Sequence, residues 1–201
     1  MNLYATKGAI NARLVPVVDR LAAQGVSPDA LTLAAIPVSV AGGLCLLASV
    51  AAPAALLLVP ACVVLRLVLN LLDGNMARRT GRIHPRGELY NELGDRVADL
   101  ALLLPVAVLP GALPALVVAG VICALLASYV GVVARAAGAE RIYRGVLSKP
   151  GRMVLLVACS LWAFVATPAP ETAWAAFGVL LCLGAVATLA ERIVVAIRTL
   201  P

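Results

Sequence analysis

Residues 70–99 read NLLDGNMARRTGRIHPRGELYNELGDRVAD. In a chain otherwise rich in apolar runs, polar side chains recur here at helical spacing. Asn70 and Asp73 are three apart, so they share a helix face. Gly87, Asn91, Asp95 and Asp99 step by four and line one stripe of a second helix. A short basic turn separates the two. Two helices that point carboxylates and carboxamides at one seam make an oxygen-lined pocket, which suits hard divalent cations such as Mg²⁺ or Mn²⁺.

The surroundings decide where that seam sits. The chain has 201 residues, of which 63% are hydrophobic and only 13% charged, with a mean hydropathy of +1.02. Apolar runs of about 20 residues predict transmembrane helices. The loops between them are too short to form a separate soluble domain, so a single membrane domain over 1–201 is expected. Lys7, Arg13, Asp19 and Arg20 interrupt the first twenty residues, which therefore do not read as a signal peptide. Cys45, Cys62, Cys123, Cys159 and Cys182 lie singly inside apolar runs and fit no disulfide or metal spacing.

A net charge of +6 would suit nucleic acid, but its distribution argues for a bilayer instead. Fourteen of the sixteen Lys and Arg fall in the N-terminal segment, in two connections and their helix ends, or near the C-terminus; Arg66 and Arg96 are the exceptions by depth. The connections near Ala51–Pro53, Leu109–Pro114 and Thr167–Thr172 carry none. This positive-inside alternation predicts cytoplasmic termini and a cytoplasmic active site, as in a bacterial inner membrane.

Six spans are expected, near 30–50, 53–79, 87–109, 115–136, 153–166 and 173–197, preceded by an interfacial amphipathic helix within 1–24. Ser27-Pro28-Asp29 supplies a cap, a first-turn proline and an acid at the positive helix end. The second span would be about 39 Å long against a hydrocarbon layer of roughly 30 Å. Its last turns must emerge, which places Asp73 near the cytoplasmic boundary. No strands and no internal repeat are expected.

A charge at the centre of a span costs about 2.5–3.5 kcal/mol. The grouping of Asp73, Asp95 and Asp99 therefore points to a cavity, or else to ion pairs with Arg66 and Arg96 that hold helices together. Arg66 shares the face of Asn70 and suits a carboxylate or a substrate phosphate. Gly74 and Ala77 leave room beside that face, and Arg78 can grip a phosphate. His84, alone in a basic loop, suits solvent as well as a ligand. Arg135, Arg141, Arg144, Lys149 and Arg152 form a second basic cluster, suited to anionic lipid headgroups or to an anionic substrate.

The spacing resembles that of the CDP-alcohol phosphatidyltransferases, D-x2-D-G-x2-A-R-x8-G-x3-D-x3-D. Here it runs Asn70, Asp73, Gly74, Ala77, Arg78, Gly87, Asn91, Asp95, with six of eight motif positions matching. Ser27-Pro28-Asp29-Ala30-Leu31-Thr32, Ser128-Tyr129 and Ser148-Lys149-Pro150-Gly151-Arg152 extend the likeness over most of the chain. The resemblance implies a six-helix homodimer with a cytoplasm-facing cavity. It also implies transfer of a phosphatidyl group from CDP-diacylglycerol to an alcohol, with release of CMP. Two divalent cations bridge the diphosphate in typical members.

Carried over, Asp73 and Asp95 would bind metal, with Asn70, Asn91 and Asp99 completing the set, and Asp95 would serve as base. Asp29, Thr32, Gly74, Ala77, Arg78, His84 and Gly87 would hold the nucleotide. Arg66, Arg135, Lys149 and Arg152 would face the acceptor, with a preference for an anionic one. The departure is asparagine at the first and third aspartate positions, which leaves two of the four formal charges. One tight metal with a weaker second, a site completed by Asp99, and a CDP-lipid binder without ordinary turnover are the three outcomes this allows.

Overall fold

The computed structural model describes residues 14–82, 84–167 and 169–200. Helix α1 covers residues 14–23; the earlier part of the expected interfacial helix lies outside the described residues. Then follow α2 (Pro28–Ala48), α3 (Leu58–Thr80), α4 (Pro85–Leu103), α5 (Pro114–Ala136), α6 (Lys149–Val165) and α7 (Glu171–Thr199). Short 3₁₀ turns, Pro53–Leu57 and Leu104–Val108, precede α3 and extend α4. No strand occurs among the described residues.

The helix boundaries follow from local chemistry. The Ser27 hydroxyl accepts the Ala30 N–H at 3.1 Å, and Pro28, which has no N–H to satisfy, opens α2. Gly81, at φ +67°, closes α3 in the left-handed conformation that other residues resist. His84 caps α4 by accepting the Gly87 N–H on Nδ1 at 2.9 Å, with Pro85 in the first turn. The basic segment before α6 is shorter than its sequence suggests, because the helix already begins at Lys149.

Four helices are long and apolar enough to cross a membrane: α2, α3 with its 3₁₀ lead-in, α5 and α7. This makes the chain an integral membrane protein and narrows the six-span expectation. The remaining two fall short for different reasons. α4 spends one stripe on polar groups, and α6 has 17 residues, about 25 Å of helix.

Packing separates the bundle into two ends. The main apolar cluster unites the end of α2 (Leu46), the start of α3 (Val59, Val63), the end of α4 (Leu102, Leu103) and the start of α7 (Trp174, Phe177, Leu181), with Leu156 of α6 between them. The opposite ends of the same helices carry the polar residues. In lipid, helices associate through close packing more than through a hydrophobic drive, so small residues mark the seams. Gly43 of α2 shows this: a Cβ there would collide with the backbone oxygen of Ala101 on α4.

α2 packs along both α3 and α4, whereas the backbones of α3 and α4 scarcely approach one another. The two helices that carry the 70–99 stretch are thus held apart by a third. α1 lies against this end: Val18 is buried with Leu31, Leu72 and Met76, and Asp19 pairs with Arg79 at the close of α3.

Candidate active site

The gap between α3 and α4 opens into a cavity of about 530 Å³. Asp73, Gly74, Ala77 and Arg78 line it from α3, Gly87, Glu88 and Asn91 from α4, and Pro28, Asp29 and Thr32 from the first turns of α2. Arg82, His84 and Pro85 form the turn beneath, and Arg135 and Arg141 reach in from the end of α5 and the segment after it. Every residue expected on the nucleotide side is therefore in one lining.

Their local contacts explain the placement. Asp73 is 6% exposed, and its Oδ2 accepts the Thr32 hydroxyl at 2.7 Å, which joins α3 to α2. With Nδ1 used as a cap, His84 turns Nε2 to within 3.3 Å of Asp29 Oδ2. A Cβ on Gly87 would lie 3.1 Å from Asp29 Oδ1, so this corner admits only glycine comfortably. Gly74 differs: a Cβ there would meet nothing closer than the Arg78 guanidinium at 3.5 Å. The protein's own packing does not demand glycine at 74, so the space it leaves belongs to the cavity. Arg78 donates to Asn75 Oδ1 at 3.1 Å, and among the described residues no carboxylate pairs with Arg78 or Arg82.

Asn70, Asp95, Asp99, Arg66, Lys149 and Arg152 are outside that lining and form two polar clusters beside it. In the first, Asp95 Oδ1 accepts from Asn70 Nδ2 at 2.9 Å and from Lys149 Nζ at 2.5 Å. In the second, Asp99 gives one oxygen to Arg66 at 2.5 Å and the other to Arg152 at 2.7 Å. Arg66, fully buried, also reaches the Asp95 backbone oxygen at 3.3 Å and Met153 Sδ at 3.2 Å.

Asp99, expected from the sequence to be able to complete a metal site, instead has an arginine on each oxygen. The ion-paired reading of the intramembrane charges holds for Asp99 with Arg66. Arg96 instead pairs with Glu92, one turn back on α4, at 2.6 Å.

All four cations expected at the acceptor side have carboxylate partners. Arg66 and Arg152 hold Asp99, Lys149 holds Asp95, and Arg135 holds Glu88. Sequence reasoning did not single out Arg82 or Glu88 for the cavity, and it had Arg141 only as a member of the second basic cluster. Glu88 and Glu92 follow Gly87 and Asn91 along the same helix, and their pairing with Arg135 and Arg141 brings the basic segment down onto α4. That pairing spans about 50 residues of sequence and leaves no local signal. Arg192, near the end of α7, anchors the same segment by donating to the backbone oxygens of Ala127 at 2.8 Å and Arg144 at 2.8 Å.

The arrangement can hold a cation, as its donor chemistry shows. Asp73 and Asn91 line the cavity from α3 and α4, and Asp95, outside the lining, accepts hydrogen bonds among the described residues on Oδ1. Such oxygens, with substrate phosphate and water, suit a hard divalent ion. Among the described residues no three His, Cys, Asp or Glu side chains converge as a metal cluster, and Asn70 stands 2.9 Å from Asp95 as a neutral amide.

Comparison with known proteins agrees with the architecture. Inner membrane protein YnbA of Escherichia coli strain K12 is 32% identical over 171 residues, covering 85% of this chain and 83% of that protein. Among solved structures, Mycobacterium tuberculosis phosphatidylinositol phosphate synthase (PgsA1) superposes in three crystal structures at 22% identity, a level that speaks to the fold. The complex with manganese and citrate gives a TM-score of 0.72 over 90% of this chain and 87% of that one. The form with CDP-DAG bound gives 0.71 over 90% and 92%, and the apo form 0.73 over 92% and 95%. The family profile for CDP-alcohol phosphatidyltransferase matches residues 25–195, and with it the chain belongs to the CDP-alcohol phosphatidyltransferase family.

Proposed function

We propose that the protein carries out its family's reaction on CDP-diacylglycerol: the phosphatidyl group passes to an alcohol and CMP leaves. The observation that carries this reading is the single cavity shared by both halves of the motif, Asp73, Gly74, Ala77 and Arg78 on one wall and Gly87 and Asn91 on the other. Phosphoryl-type transfer asks the protein for position and charge neutralisation more than for covalent chemistry.

Each residue then has a task. Arg78 and Arg82 grip the diphosphate, while Asp29, Thr32, His84 and Gly87 receive the cytidine end. Asp73, Asn91 and the open oxygen of Asp95 hold a divalent cation, Mg²⁺ or Mn²⁺. When bound, that ion neutralises charge on the leaving CMP. Asp95 takes the proton of the acceptor hydroxyl. Asp99 is less suited to that task because it is buried with an arginine on each oxygen.

We place the cavity and both termini in the cytoplasm, since the connections at the cavity end hold Arg78, Arg79, Arg82, Arg86, Arg135, Arg141 and Arg144 and the opposite connections none. We read α4 and α6 as spans completing one six-helix domain, and the assembly as a homodimer, after the family pattern.

Purified protein given labelled CDP-diacylglycerol, a panel of alcohols and a series of metals tests the reading. CMP release that requires both an acceptor and a divalent cation is expected. A second reading, a CDP-lipid binder without turnover, draws on the Asn70 and Lys149 contacts that already occupy Asp95. Tight CDP-diacylglycerol binding with no CMP released by any acceptor would select it.

A further inference from the structure

We infer that this chain holds one divalent cation, not two, and that the Lys149 ammonium provides the positive charge beside Asp95 that a second cation would otherwise supply. The inference rests on the proposed function for the identity of the site and goes beyond it in the metal count.

Four observations converge. First, the motif helices offer two carboxylates to the site, Asp73 and Asp95, where two cations would bring four positive charges. The repulsion of two divalent ions is about four times that of two unit charges at the same separation, and bridging carboxylates normally offset it. Neither Asn70 nor Asn91 supplies such a charge. Second, the group 2.9 Å from Asp95 Oδ1 at position 70 is a neutral amide, which brings no charge to the site whichever end faces a cation.

Third, Lys149 Nζ lies 2.5 Å from the same Oδ1, in a partly buried pair with side chains 25% and 21% exposed. Fourth, Lys149 is held there by its surroundings. It stands in the first turn of α6, ahead of Pro150. The preceding Leu147 donates its N–H to Thr188 Oγ1 at 2.8 Å, and Arg152 donates to the Leu147 carbonyl at 3.3 Å. Arg152 is itself fixed on Asp99. The ammonium is thus delivered by a braced helix start, and Asp99 serves this site indirectly as a positioning residue.

The asparagines and the lysine are complementary. Restoring aspartate at 70 and 91 while removing the ammonium would return four negative charges and reopen the second position. Asp73 and Asn91 remain on the cavity side, so the retained ion is the one facing the diphosphate.

Counting bound Mn²⁺ on purified protein in detergent, with CDP present as the nucleotide probe, tests this without relying on turnover. Calorimetry should give one Mn²⁺ per chain, and electron paramagnetic resonance an isolated-ion spectrum without metal–metal coupling. The triple variant Asn70→Asp, Asn91→Asp, Lys149→Met should bind two, with a coupled spectrum. Lys149→Met alone should tighten binding of a second Mn²⁺ by about tenfold. Two coupled ions on the unaltered chain would overturn the inference and leave the proposed function standing. CDP binding with no Mn²⁺ bound at all would instead overturn the metal assignment in the proposed function, and the inference with it. The count on the unaltered chain decides the matter even where a variant fails to fold.

Discussion

Asp95 and Asp99 stand one turn apart on the same stripe of α4, yet the fold treats them differently. Asp99 is 6% exposed, closed from both sides by Arg66 and Arg152, and drawn into a seam between α3, α4 and α6. Asp95 is only partly buried and engaged through one oxygen, with the other free of hydrogen bonds. Two carboxylates of equal chemistry thus become a structural tie and a candidate reactive group. The difference comes from their neighbours: the two guanidiniums take one oxygen each of buried Asp99, whereas the ammonium and the amide both fall on Oδ1 of Asp95.

The comparison breaks most visibly at Asp99. Asp99→Asn leaves two buried guanidiniums without their carboxylate, and a loss of about 3–5 kcal/mol in stability is expected, read as a lower thermal midpoint in detergent. Replacing the triad with apolar residues, Arg66→Met, Asp99→Leu and Arg152→Met together, should recover most of it. A midpoint unmoved by Asp99→Asn would show that the triad is not a tie.

Asp95→Asn, which leaves partly buried Lys149 without its carboxylate, is expected to lower the midpoint less than Asp99→Asn does, while CMP release falls by roughly 10²–10⁴-fold, the usual worth of a general base. If Asp99→Asn abolished turnover in folded protein while Asp95→Asn kept it, the roles would exchange. Thr32→Val sharpens the comparison from the α2 side. It removes one hydrogen bond to buried Asp73, worth about 0.5–1.5 kcal/mol. The metal concentration giving half-maximal activity should rise by the matching factor, roughly 2–10-fold.

Glu88→Gln breaks a half-exposed pair with Arg135 and should cost about 1 kcal/mol or less, vanishing at high salt. A larger effect that persists in salt would mean that the basic segment is clamped on α4 more firmly than its exposure implies.

Much of this was legible in the sequence because the signals are local. Helix ends fell within a few residues of their expected places, since Ser27-Pro28, Gly81 and His84-Pro85 act on their own backbones. Periodicity brought Asp73, Gly87 and Asn91 to one lining and the family resemblance added Gly74, Ala77 and Arg78, while Asn70, Asp95 and Asp99, read on the same faces, stand beside it. The sequence was silent where contacts cross the chain. Nothing near Glu88 announces Arg135, and nothing near Asp99 announces that Arg152, 53 residues away, will join Arg66 on it. The basic cluster looked available to an anionic acceptor because its carboxylate partners lie elsewhere in the chain. The two motif helices do meet through side chains, Asn70 on Asp95 and Arg66 on Asp99, but the sequence did not announce that α2 packs along both, with Gly43 close to the backbone of Ala101.

That intervening helix acts as a shim. Because α2 separates the two walls that bear the motif, its girth at buried Thr32, Ala35 and Ser39 sets how wide the jaws stand. At Thr32 width and chemistry change together, because its hydroxyl holds Asp73; at Ala35 and Ser39, where no such bond reaches the motif, a bulkier or slimmer side chain would resize the chamber with the motif residues unaltered.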